Sequence, residues 1–266
     1  MQLSQRYTQT IVQLYRQLLD QGFVESDLLR VRTAYELATQ LHSARFRASG
    51  RAFTSHLIGT ASLLSQLTSD PDIILTGLLH AVYDQGDFGD GRRVMTERKR
   101  AYVRRAIGEA VESRIAAFSR LGWGPGLADQ LVERLDGLGK IERDAILVRL
   151  VNELDDFIEL DVLYSADHAF RVEQLTRDCK AMSELATRLD YPALARALRE
   201  VTDEASRAQL PDSIRSFESY CFDIVPRSYL RRPVAAFNYH RPKIRWQVSR
   251  VRRKLLSWFP SMDRSN

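Results

Sequence analysis

From about residue 11 to residue 209 of this 266-residue chain, apolar side chains recur every three or four positions, and no segment alternates as a half-buried strand does. That spacing stacks them on one face of a helix and leaves a sheet nothing to be built from. Ile11, Leu14, Leu18 and Leu19 form the first stripe. A second helix is predicted from near Ser26, with Leu29, Val31, Ala34, Leu37 and Leu41 turned inward, and a third from Thr54 to Leu67. Ser69-Asp70-Pro71-Asp72 reads as a break followed by a helix start, because aspartate caps free N–H groups and proline suits the first turn. The helix it opens, IILTGLLHAV, is apolar all round and belongs in the core. After the loop QGDFGDG a charged helix starts at Thr96, GWGPG at 122–126 is a connector, and helices are predicted over 127–136, 140–163, 166–189 and 191–209. The fold class is all-α: a helical bundle over residues 1–210 and a separate C-terminal extension, 211–266.

Charge divides the chain at nearly the same place. Of 39 Lys/Arg and 34 Asp/Glu, 11 and 1 fall in residues 224–266, so that segment carries +10 and the rest of the chain −5. Within it, residues 243–259 (KIRWQVSRVRRKLLSWF) place Ile244, Val248, Val251, Leu255 and Trp258 on one stripe, with Arg245, Arg250, Arg252, Arg253 and Lys254 over much of the remainder. A basic amphipathic helix of this kind suits an anionic membrane surface. Docking of the stripe on the acidic body or on a partner subunit is the plainer alternative. Basicity alone does not specify nucleic acid, which is not an expected partner.

Other chemistries are excluded more simply. Two cysteines, Cys179 and Cys221, rule out a disulfide framework and a four-cysteine zinc site, and neither belongs to a Cys-x-x-Cys pair. There is no phosphate-binding Gly-Lys-Ser/Thr loop and no dinucleotide glycine motif. No apolar run approaches the ~18 residues of a spanning helix. The polar N-terminal segment reads as an amphipathic helix rather than a signal peptide. A cytoplasmic location, with peripheral membrane attachment through the tail, is the expectation.

Chemistry-bearing residues concentrate in AYELATQLHSARFRASGRAFTSHLIGTASLL, from Ala34, and in DPDIILTGLLHAVYDQG, from Asp70. This stretch resembles the HD-domain superfamily, most closely the hydrolase domain of RelA/SpoT alarmone enzymes and related uncharacterised bacterial HD-like proteins. The resemblance covers about residues 30–165. Arg47, Ser49 and Gly50 match the family's basic loop, Phe53 the aromatic residue before its second His, His56 that His, and Leu78-Leu79-His80 the end of its buried helix. ILVRLVNELDDFIEL corresponds to a later helix carrying the last metal ligand, with Asn152 in that place. The resemblance implies an HD-type helical fold and a divalent metal, manganese or similar, held by two imidazoles and two carboxylates. Such a metal lowers the pKa of a bound water and supplies hydroxide near neutral pH. It implies His56, His80 and Asn152 as metal positions. It also implies a phosphorylated small molecule or nucleotide as ligand, met at Arg45, Arg47 and Ser49, since guanidinium suits a phosphate or a base.

The departures from the family fall on the ligands themselves. Ala81 stands where the motif has Asp, Asn152 replaces the last Asp, Asp84-Gln85 replaces Glu-Asp, and Ala48 replaces the loop Lys. Alanine supplies no ligand and an amide only a neutral oxygen, whereas manganese-like ions favour anionic oxygen. On a continuing helix Asp84 would share a face with His80 and is the candidate catalytic carboxylate. Asp155 or Asp156, three and four residues past Asn152, could restore a ligand, and Asp87 and Asp90 lie in the adjacent loop. The plain alternatives are solvated acids, core histidines, and salt bridges from Arg45 and Arg47. His42 reads as a helix-end residue, and His168, beside Asp167, as part of a helix cap. Two functional expectations follow. One is a degenerate HD-type domain that binds a phosphorylated small molecule or a protein partner with weak or no hydrolysis. The other is an active metal-dependent phosphohydrolase using His56, His80 and a relocated carboxylate.

Overall fold

Thr10, Asp70 and Thr96 each start a helix by accepting a hydrogen bond on the side chain, from the backbone N–H of Gln13, Asp72 and Lys99 respectively. Each satisfies one of the donors that a helix start leaves free. In this computed structural model, which describes residues 7–216, 218 and 221–225, the elements are α1 (Ile11–Asp20), α2 (Glu25–Leu41), α3 (Phe53–Ser65), α4 (Pro71–Leu79), α5 (Val82–Gln85) and α6 (Glu97–Ile107). They continue as α7 (Glu109–Leu121), α8 (Leu127–Arg134), α9 (Lys140–Ile158), α10 (His168–Arg188) and α11 (Pro192–Arg207). The all-α expectation holds, apart from two-residue strands such as Arg45–Phe46. The chain divides into two units, Met1–Phe222 and Asp223–Asn266. The amphipathic helix expected over 243–259 lies outside the described residues. Among those described, no helix is long and apolar enough to cross a membrane.

The core is organised by α4 and α9. Every residue from Ile73 to Leu79 is buried, as an all-round apolar helix requires. α9 packs against α3, α4, α7 and α11 and is buried along most of its length from Asp144 to Phe157. Leu57, Leu64 and Leu78 have no exposed surface, and burying a leucine contributes about 1.5–3 kcal/mol. Gly77 lets α3 and α4 approach closely, because a Cβ there would lie 2.4 Å from Leu64 Cδ1.

Several sequence expectations need correction. Leu19 and Leu29 point outward, 57% and 54% exposed. Their neighbours Leu18 and Leu28 take the inward direction, since successive residues on a helix face about 100° apart. The helix predicted over 140–163 stops at Ile158, where Leu160 turns left-handed at φ +54 before a 3-10 turn, Asp161–Tyr164. The buried helix does not continue through His80. α4 ends at Leu79, Ala81 sits at φ −96 and ψ 4, and α5 begins at Val82. The His80 Nδ1–H donates to the Gly77 carbonyl at 2.7 Å, competing for the acceptor that a continued helix offers to Ala81. Asp84 therefore lies on a separate short turn.

Candidate functional site: a cavity beside two buried histidines

Residues 47–51 form a tight turn closed by a bridge between Phe46 and Ala52. The Arg47 N–H donates to the Arg51 carbonyl and the Gly50 N–H to the Arg47 carbonyl, both at 2.8 Å. Gly50 takes φ +87, a conformation that suits glycine. The turn aims two guanidiniums at the end of α9. Arg47 pairs with Asp156, while Arg51 pairs with Asp155 at 3.2 Å and donates to the Tyr7 hydroxyl. Tyr7 donates to Asp155 at 2.5 Å, His56 Nδ1 lies 2.5 Å from the other oxygen of that carboxylate, and Arg171 of α10 pairs with Asp156 at 2.6 Å. Space for this cluster comes from Gly59, where a Cβ would sit 2.1 Å from Asp155 Oδ1. Asp155 and Asp156 are 0% and 6% exposed, not solvated. Burial works to raise both pKa values. Arg51 and His56 at Asp155, and Arg47 and Arg171 at Asp156, outweigh it and hold both below the usual carboxylate range.

The histidines form a packed column. The His56 and His80 rings meet edge-on at 5.3 Å, and His80 lies 4.9 Å from Phe118, whose face the Arg149 guanidinium covers at 3.8 Å. Burial first, and then His56, pushes the His80 pKa well below its ordinary value, so the ring is neutral at physiological pH. His42, the C-cap of α2, is buried and stacks on Phe53 at 4.9 Å. Its Nδ1–H donates to the Ala38 carbonyl at 2.9 Å, and burial lowers its pKa to about 4.

His56, His80 and Asn152, the three positions that the resemblance implies for metal, all line one cavity of about 280 Å³, together with Arg47, Asp84 and Asp156. The Asp84 carboxylate accepts from the Ser119 hydroxyl at 3.0 Å, and burial raises its pKa. Arg45 donates at 2.5 Å to Oε1 of Gln85, which lines the cavity, and Ser49 Oγ accepts from the Arg51 N–H at 3.3 Å; Arg45 and Ser49 themselves are not among the lining residues. Asp87 and Asp90 are exposed, with Asp90 3.2 Å from Lys99. Asp167 does occupy the N-cap position of α10, but its side chain makes no capping bond and instead lines the cavity, which corrects the capping expectation at Asp167-His168. Sequence reasoning missed Tyr7, Arg51, Arg149, Arg171 and Asp178. Only Arg51 carried a signal, its place beside the Gly50 turn. The others reach the site through helix packing that no local pattern announces.

Among the described residues, His56, Asp155 and Asp156 converge as possible metal ligands, with donor atoms within 4.8 Å of one another. His80 and Asn152 share the cavity but not this group. The two carboxylates are already matched by three guanidiniums, those of Arg47, Arg51 and Arg171. His56 Nδ1 is already engaged by Asp155, Ala81 offers no donor, and Asn152 offers only a neutral amide. A divalent cation entering here meets Asp155 and Asp156 oxygens that guanidiniums, Tyr7 and His56 already engage. The residues present do not fit a resident metal.

Residues 37–121 match a family described as "Domain of unknown function (DUF6817)". A 64-residue stretch, 24% of this chain, is 30% identical to a GTP pyrophosphokinase of Streptomyces coelicolor (strain ATCC BAA-471 / A3(2) / M145) and spans 8% of that protein. Among solved structures the chain is similar to one described as "A metazoan ortholog of SpoT hydrolyzes ppGpp and plays a role in starvation responses". That likeness has a TM-score of 0.46 and 16% identity, and covers 66% of this chain and 94% of that one.

Proposed function

We propose that the cavity binds a phosphorylated small molecule and performs weak or no metal-dependent hydrolysis, as a degenerate HD-type site would. The observation that carries this reading is the neutralisation of Asp155 and Asp156 by Arg47, Arg51 and Arg171. It occupies the oxygens of these two carboxylates, while Arg47, Arg149 and Arg171 bring guanidiniums to the cavity wall. Guanidinium donors bind phosphate oxygens through charge-assisted, often bidentate hydrogen bonds. The partial likeness to a GTP pyrophosphokinase is in keeping with a nucleotide-type ligand. The test is calorimetry of the purified full chain against a nucleotide panel, followed by turnover assays with manganese. Binding is expected, at least tenfold weaker in Arg171→Gln, with turnover far below the ~1–1000 per second of ordinary enzymes. Turnover at ordinary rates would overturn the reading.

One observation favours the second reading, an active phosphohydrolase using His56, His80 and a relocated carboxylate: the convergence of His56, Asp155 and Asp156. That reading requires stoichiometric manganese, lost in His80→Ala. For the tail, we propose that residues 243–259 hold the protein to an anionic membrane surface. Sedimentation with anionic but not neutral liposomes, lost on deleting 224–266, is the expected result.

A further inference from the structure

We propose that the cavity recognises a second feature of the same ligand, a protonated amine or other N–H donor group, at Asp178 on α10. This rests on the phosphate-binding reading above and adds to it. Arg171, Gln174 and Asp178 all line the cavity, at spacings of three and four residues, and so share one face of α10. Seven residues at 1.5 Å each separate Arg171 from Asp178 by about 10 Å along the helix. The wall thus presents a cation at one end and an anion two turns away.

The Asp178 carboxylate carries the argument. The residue is 1% exposed, and only one of its oxygens is engaged, by Arg177 Nε at 3.3 Å. Its Oδ2 is buried and has no hydrogen-bond partner. Asp167, at the start of the same helix, repeats the pattern: its Oδ1 is buried without a partner, on a side chain that lines the cavity instead of capping. A buried carboxylate oxygen without a donor is unfavourable, and proteins seldom keep one without a use. On a residue that lines a cavity, it is completed by a donor that enters from outside. The bound molecule therefore carries an anionic group for Arg47 and Arg171 and, about 10 Å away, a cationic or N–H donor group for Asp178.

Two probes that differ only at that far end test this. 6-Aminohexyl phosphate carries a phosphate and an ammonium on an extended chain of about the required reach, and hexyl phosphate lacks the ammonium. In calorimetric titrations of the full chain, 6-aminohexyl phosphate is expected to bind at least tenfold tighter than hexyl phosphate. Asp178→Asn is expected to bring the two to the same affinity. If both bind equally to the unsubstituted protein, the inference at Asp178 fails and the phosphate reading stands. A tenfold preference that persists in correctly folded Asp178→Asn assigns the amine to another group and overturns the inference. If neither phosphate binds, both readings fall.

Discussion

Asp155 and Asp156, near the end of α9, and Asp167 and Asp178, on or beside α10, belong to one helical unit, yet their surroundings differ. The first pair is surrounded by partners: Tyr7, Arg51 and His56 for one, Arg47 and Arg171 for the other. The second pair leaves one buried oxygen unmet on each side chain. A carboxylate with a completed shell is part of the fold and has little capacity left for a metal. One with an unmet oxygen, on a residue that lines a cavity, spends stability on a ligand that has yet to arrive. Acidity alone does not separate these cases; the count of donors does.

The comparison predicts opposite effects of removing the two kinds of acid. The largest is at Asp155. Asp155→Ala strands the buried Arg51 guanidinium and leaves His56 Nδ1 without its partner, and is expected to lower stability by about 3–5 kcal/mol in urea unfolding. A loss below about 1 kcal/mol would make the cluster dispensable.

Acid comes next. His42 and His80 resist protonation in the folded protein, so the unfolded chain, titrating near ~6.5, takes up protons first. Their contribution is complete above about pH 6.5 and is lost as pH falls from there toward the folded values, about 4 for His42. Over that window His42 alone accounts for about 3 kcal/mol. Asp155 and Asp156, whose folded pKa values are depressed, extend the loss below about pH 4, the ordinary range of an unfolded aspartate. Unfolding measured against pH is expected to lose the His42 share of this slope in His42→Gln; an unchanged slope would contradict the assignment.

Gly59→Ala should cost about 1–3 kcal/mol, because its methyl collides with the Asp155 carboxylate. The smallest effect has the reverse sign. Asp178→Asn is expected to leave stability unchanged or raise it by about 1 kcal/mol in the same urea assay, since it removes a charge whose oxygen is incompletely paired. A loss of the size expected for Asp155→Ala would show that Asp178 is as structural as the α9 pair.

The fold was legible wherever one face of a helix is apolar, as at Leu14 and Leu18 or throughout Ile73–Leu79. It was misread where two adjacent leucines compete for one inward direction, as at Leu18 and Leu19, and where a side chain interrupts a helix, as His80 does. The motif residues His56, His80 and Asn152 line one cavity, and the stretch from Ala34 to Gln85 and the α9 segment that draw attention to them each carry a local pattern. Arg171, Tyr7 and the open oxygen of Asp178 were not legible. Each depends on which helix packs beside α9, and that is set by contacts distant in sequence.

Manganese titration of the purified full chain by calorimetry, with elemental analysis of the dialysed protein, tests the central claim most directly. No stoichiometric site is expected, because three guanidiniums already hold the two carboxylates. One equivalent of tightly bound manganese, lost in His56→Ala, would contradict it.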